Sequence, residues 1–177
     1  RSNLTIIGRG SAADNAASQA QVSLFSIDAT DYLANLDLEE EVFGPSSLVI
    51  GCESQAQMLE VAASMKGHLT GAIFAQEKDH NIATKLLPIL QQRIGRVLFD
   101  GFGTGVELSS AMSHGGPYPS SSASQTTSVG TRAIERFTRP LCYQNTPDAL
   151  LPIELQNANP GGIMRLVNNQ WSDKSII

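Results

Sequence analysis

Leu38-Glu39-Glu40-Glu41-Val42-Phe43-Gly44-Pro45-Ser46-Ser47-Leu48-Val49-Ile50-Gly51 joins an acidic run, a Gly-Pro turn and an apolar run of β type. The apolar part, Ser47–Gly51, predicts a strand. Ser54 then offers a side-chain oxygen to the free amides of a helix through Met65, with Met58, Leu59, Ala62 and Met65 on one face. Leu69–Ala75 and Arg96–Phe99 are the next strand candidates. Between them a second helix opens at Asp79 or His80, with Ile82, Leu86, Ile89 and Leu90 at helical spacing. Pro88 is expected to end or kink it, because proline has no amide N–H to donate. Upstream, Val22–Ile27 reads as a strand, and Leu4–Ile7 as one ending in a turn at Gly8. Alternating strands and helices predict an α/β fold with a mostly parallel sheet.

Composition sets the outer bounds. A globule of 177 residues is expected to bury about 70% of its unfolded surface. The net charge is −5 and no lysine-arginine run occurs, which argues against nucleic acid or an anionic membrane as partner. A small anionic substrate stays possible, since one arginine can bind a carboxylate. No segment has the roughly 18 apolar residues of a membrane span, and no signal peptide is visible. Cys52 and Cys142 have neither metal nor redox spacing. Both are expected to be buried structural thiols in a cytoplasmic protein. The first residue is Arg1, and strand and turn follow at once, so the chain is expected to begin inside a domain.

Beyond Asp100 the pattern changes. Gly101–Ser124 contains five glycines, two prolines and seven serines. So long a loop in a domain is functional or disordered, and Phe102, Glu107, His114 and Tyr118 within it favour function. Thr126–Arg136 reads as a short helix, and Phe137–Gln144 as an extended edge strand marked by Pro140. The tail from Asn145 is rich in Asn, Pro and Gly. Its Leu150, Leu151, Ile163, Leu166 and Trp171 are expected to dock on a surface.

Chemistry can enter at the acidic run. Glu39-Glu40-Glu41 can be a solvated charge cluster ahead of a turn. Alternatively one carboxylate points inward. An ionised carboxylate accepts only and can take two hydroxyls at once, which suits a ribose diol. Phe43, two residues after Glu41, would share its face of an extended segment and offer a flat apolar wall.

Glu40-Glu41-Val42-Phe43-Gly44-Pro45 resembles the aldehyde dehydrogenase superfamily motif at the nicotinamide end of the cofactor. Val22-Ser23-Leu24-Phe25 upstream, the helix–strand–helix–strand order downstream, and His114-Gly115-Gly116-Pro117-Tyr118 extend the likeness. The resemblance implies that Glu41 holds the nicotinamide ribose and that Phe43 packs beside the ring. Phe102–Glu107, Ala111–Pro119, Thr126–Thr131, Arg139–Asn145, Asp148–Pro152 and the segments from Asn159 to Trp171 are similar to the α-ketoglutaric semialdehyde (2,5-dioxovalerate) dehydrogenase branch. There His114 replaces the usual tunnel phenylalanine, which implies a polar keto-acid substrate. His114 is either an exposed or hydrogen-bonded loop histidine or a donor to that keto acid. Val106 and Leu108 are further candidates for the tunnel wall. Glu107 would repel an anionic substrate, so it is expected to face away or pair with a cation.

The resemblance also implies a covalent mechanism: a cysteine thiolate attacks the aldehyde, a hydride passes to NADP or NAD, and water hydrolyses the thioester. In the family the nucleophile, the general base and the dinucleotide-binding half all precede Glu41 by more residues than this chain supplies. Neither cysteine here has the nucleophile's context, and no glycine-rich dinucleotide fingerprint occurs. The expected domains are 1–136, the C-terminal part of a catalytic domain; 137–146, an oligomerisation strand; and 147–177, a tail. The expected partners are a small aldehyde, the upstream half of the same enzyme and further copies of it. No catalytic residue or metal ligand is expected in this chain, and alone it is expected to be inactive. A different class stays open: a non-catalytic binding or assembly module that kept the fold.

Overall fold

A computed structural model describes residues 3–14, 17–103 and 105–176. The chain divides into two units, Arg1–Phe137 and Thr138–Ile177.

The first unit opens with β1 (Thr5–Arg9), β2 (Ser23–Asp28) and β3 (Ser46–Gly51), hydrogen-bonded in that order. β1 runs antiparallel to β2 and slips register between Ile6 and Gly8; β2 and β3 are parallel. Thus β1 continues through Gly8 to Arg9 instead of turning there. The helix α1 (Ala29–Leu33) follows β2, and a 3-10 turn, Leu36–Glu39, leads into the acidic run. Side chains alternate across the pleat. Phe25, Ile27, Leu48 and Ile50 are buried or half-buried, while Leu24 and Val49 between them are exposed. Parallel strands are normally covered on both faces; here one apolar face is open.

Next come α2 (Gln55–Ser64), β4 (His68–Ile73), α3 (His80–Arg93) and β5 (Ile94–Phe99). Ser54 caps α2 as expected, its side-chain oxygen accepting from the Gln57 amide at 3.2 Å. β4 and β5 pair in parallel, His68 opposite Ile94. Ala62, Ile73, Ala83, Leu90 and Ile94 form the core between these strands and the helices. Pro88 neither ends nor breaks α3. It lies on the exposed face with Thr84, so the carbonyl it leaves unbonded can turn to water, while Leu90 and Ile94 hold the next turn in the core.

The expectation of a mostly parallel sheet holds only in part. The fold is mixed α/β with small sheets, among the described residues one of three strands, the pair β4-β5 and a two-stranded hairpin further on. Thr126–Arg136 is not an α-helix; a 3-10 segment, Thr131–Phe137, replaces it. Residues 137–144 form no strand ladder among the described residues.

The second unit contains 3-10 turns at Asp148–Leu150 and Ile153–Leu155, then the antiparallel hairpin β6 (Arg165–Val167) and β7 (Gln170–Ser172). Asn168 and Asn169, both at positive φ (51° and 64°), make its two-residue turn, the backbone that suits strand twist and that asparagine tolerates. Leu150, Leu151, Ile163, Leu166 and Trp171 are exposed or half-buried.

The accessible surface totals 13076 Å², against about 9,700 Å² for two separately compact units of these sizes. About half the unfolded surface is buried, short of the expected 70% or so.

Candidate functional site

Three consecutive carboxylates meet three different environments. Glu39 ends the 3-10 turn and points inward, its side chain 5% exposed. Its Oε1 accepts from the Lys66 amide at 2.5 Å and meets His68 Nε2 at 3.0 Å. Its Oε2 is buried without a partner among the described residues. Beside it, the Tyr32 hydroxyl is made harder to ionise, first by burial and then by the charge of Glu39. Glu40 turns outward and accepts from Lys66 Nζ at 2.6 Å. That hydrogen bond, helped by the lysine charge, holds the Glu40 carboxyl below its ordinary pKa and raises that of Lys66. Glu41 is exposed and has no hydrogen bond or ion pair among the described residues. Val42 and Phe43 follow at 70% and 92% exposure.

This loop is therefore fixed at its base and bare at its tip. The tip carries an exposed carboxylate, Glu41, and, two residues on, an exposed aromatic ring, Phe43. The solvated reading of the acidic run fits Glu40 and Glu41 and fails for Glu39. Sequence reasoning missed Glu39, Lys66 and His68, and no sequence signal separates the first of the three glutamates from its neighbours.

The segment around His114 is built by close backbone approach. A Cβ on Gly95 would fall 1.7 Å from the Gly115 carbonyl oxygen, and one on Gly67 would fall 2.1 Å from that of Pro117. Only glycine lets the loop lie this near the starts of β4 and β5. The His114 amide donates to Thr127 Oγ1 at 2.8 Å, and the Ser128 amide and hydroxyl both donate to the His114 carbonyl. The ring is half-buried, and its Nδ1 is buried with no partner among the described residues. Val106 is half-buried and Leu108 is 76% exposed. The hollow lined by Gly95, Arg96, Val97 and Met112 and the one lined by Met112, Gln125, Thr127 and Arg132 border this segment without including His114, Val106 or Leu108. Glu107 is exposed, with no cation paired to it there. A hollow lined by Glu40, Lys66, Gly67, Arg93, Pro117 and Tyr118 lies between the two candidate loops.

Both thiols are free. Cys52 is half-buried, and burial pushes its thiol up in pKa, the opposite of an activated nucleophile. Cys142 is exposed, which corrects the expectation of a buried thiol: the segment carrying it pairs with no strand that would cover it.

No protein-family profile matches the chain. It is similar to an α-ketoglutaric semialdehyde dehydrogenase of Acinetobacter baylyi, 53% identical over 152 residues, covering 85% of this chain and 29% of that protein. It is also similar to α-ketoglutaric semialdehyde dehydrogenase 2 of Azospirillum brasilense, 44% identical over 160 residues, covering 90% of this chain and 30% of that protein. The chain belongs to the aldehyde dehydrogenase superfamily. It corresponds to a C-terminal portion of such an enzyme and spans about 30% of the length of these relatives. Among the described residues no helix is long and apolar enough to cross a membrane, and no group of potential ligands could hold a metal.

Proposed function

We propose that this chain is the part of an NAD(P)-dependent aldehyde dehydrogenase that anchors the nicotinamide end of the cofactor and walls the substrate tunnel, in an enzyme oxidising α-ketoglutaric semialdehyde to 2-oxoglutarate. The observation that carries this reading is the pairing of an unpartnered Glu41 carboxylate with the 92%-exposed Phe43 on a loop bolted at its base. A free carboxylate can accept both hydroxyls of a ribose, and a bare ring can lie against a flat heterocycle. The residues present therefore fit the cofactor, which when bound supplies the acceptor for the substrate's hydride. Glu41 would orient the ribose, Phe43 would keep water from the reacting face, and His114 would donate to the keto-acid end of the substrate, with Val106 and Leu108 along the wall. The thiol nucleophile, the general base and most of the cofactor's contacts would come from the rest of the enzyme, so this chain alone would be inactive. Residues 137–146 would pair with a strand of another copy, since Phe137, Leu141 and Tyr143 are exposed and residues 139–144 join no strand ladder among the described residues. The tail, residues 147–177, would dock its apolar side chains in the assembled enzyme.

The test uses the full-length enzyme carrying this sequence. α-Ketoglutaric semialdehyde should be oxidised with higher kcat/KM than unsubstituted alkyl aldehydes; equal or reversed preference rejects the substrate. Glu41→Gln should slow hydride transfer, exposing a primary isotope effect with deuterated aldehyde, while hydrolysis of an activated ester, which acylates the thiol without a hydride step, is retained. An unchanged hydride step returns Glu41 to a solvated surface charge.

A further inference from the structure

The geometry points to Glu39 as a positioning residue that sets the cofactor loop and, through Lys66-Gly67-His68, ties it to the substrate loop; this rests on the reading of the loop around Glu41 as a cofactor anchor. Four observations converge on three consecutive residues. Glu39 Oε1 takes the Lys66 amide and faces His68 Nε2. The neighbouring Glu40 takes the Lys66 ammonium. On the other side, Gly67 lies so near the Pro117 and Tyr118 carbonyls that a Cβ would fall 2.1 and 2.4 Å from them. The His68 carbonyl oxygen lies 2.6 Å from where a Gly116 Cβ would stand. The segment is thus a strut with the acidic loop fastened to one side and His114-Gly115-Gly116-Pro117-Tyr118 resting on the other.

Energetics argue that Glu39 is not there for stability. A carboxylate 5% exposed has lost most of its hydration, and its Oε2 is left buried and unpartnered. A buried acceptor without a donor loses its water and gains nothing in return. An apolar side chain would fill the space without that penalty, yet could not accept the Lys66 amide and the His68 ring at one point. What the carboxylate adds is a fixed direction for the two residues that follow it, Glu40 and Glu41.

In the full-length enzyme, Glu39→Ala should raise KM for the dinucleotide and slow hydride transfer, by up to about 100-fold, since a displacement near 1 Å has that effect on a positioned group. Activated-ester hydrolysis should stay within twofold of wild type. Glu39→Gln keeps an acceptor for the Lys66 amide and should restore most of the hydride rate without loss of melting temperature. His68→Ala should shift dinucleotide KM in the same direction, and its effect should largely vanish when combined with Glu39→Ala. The proposal is overturned if Glu39→Ala leaves dinucleotide KM within twofold while Glu41→Gln slows hydride transfer. It is equally overturned if Glu39→Ala depresses ester hydrolysis and hydride transfer in the same proportion, which marks a fold defect. Failure of the cofactor-anchor reading is seen separately, as an unchanged hydride step in Glu41→Gln.

Discussion

Between Gln55 and Phe99 the chain is held by apolar packing, with Ala62, Ile73, Ala83, Leu90 and Ile94 buried together. Between Thr138 and Ile176 the one buried residue is Asn159, a polar one. Its amide nitrogen donates to the carbonyls of Ile163 and Asp173, and its Oδ1 accepts from the Ile163 amide. Arg165 adds bonds to the Gln156 and Lys174 carbonyls, and Asp148 accepts from the Asn157 amide. Meanwhile Leu150, Met164, Leu166 and Trp171 are 57–73% exposed. The first region uses its apolar residues to fold. The second fixes its shape with hydrogen bonds and keeps its apolar residues outside.

The largest expected effect tests the packed region. Leu90→Ala in the full-length enzyme removes a side chain 6% exposed at the meeting of α3 and β5 and should cost about 2–5 kcal/mol. Chemical denaturation followed by helix signal measures it; a loss near zero would mean that the cluster does not act as a core. Asn159→Ala comes next. It strands two carbonyls and an amide, an expected cost of about 1–3 kcal/mol, and it also puts alanine at φ 47°, which Ala tolerates poorly. Asn159→Gly relieves only the backbone part. Faster amide exchange at Ile163 and in the 165–172 hairpin should appear in both variants. Unchanged exchange would show that the tail is shaped by what it docks on, and the contrast between the two regions would collapse.

The same contrast explains what the sequence could reveal. Periodicity and the Ser54 cap located β2 to β5 and both longer helices, because apolar packing writes its spacing into the chain. Pro88 does not end α3, because exposure, which periodicity does not report, decides whether the missing bond matters. The helix expected at Thr126–Arg136 was legible only in part, as the 3-10 segment Thr131–Phe137, and the tail was not, since hydrogen bonds from Asn159 and Arg165 leave no repeating pattern. At the candidate site the motif pointed to Glu41 and Phe43, both on the bare tip. It could not show that Glu39 turns inward, because three identical neighbours are distinguished only by the rotation of the 3-10 turn that ends on the first of them.

The smallest expected effect separates Glu40 from Glu39. The Glu40–Lys66 pair is exposed, 72% and 45%, so screening by water leaves it weak. Its carboxyl pKa is depressed from the ordinary 4.5; the contribution is therefore present above that value and is lost as pH falls through the folded pKa below it. Lys66 is raised from 10.5, so its share is full below 10.5 and is lost as pH climbs past the folded value. Between these limits the pair should be insensitive to pH and weakened by salt. Lys66→Met removes the ammonium but keeps the backbone amide that Glu39 accepts. It should lower the melting temperature slightly at neutral pH, with the difference from wild type fading in high salt and as pH falls from 4.5 through the depressed pKa of Glu40. Dinucleotide KM should barely move, because the fastening at Glu39 remains. A large rise in KM from this variant would transfer the positioning role from the buried carboxylate to the exposed pair, and with it the account of what holds the bare tip in place.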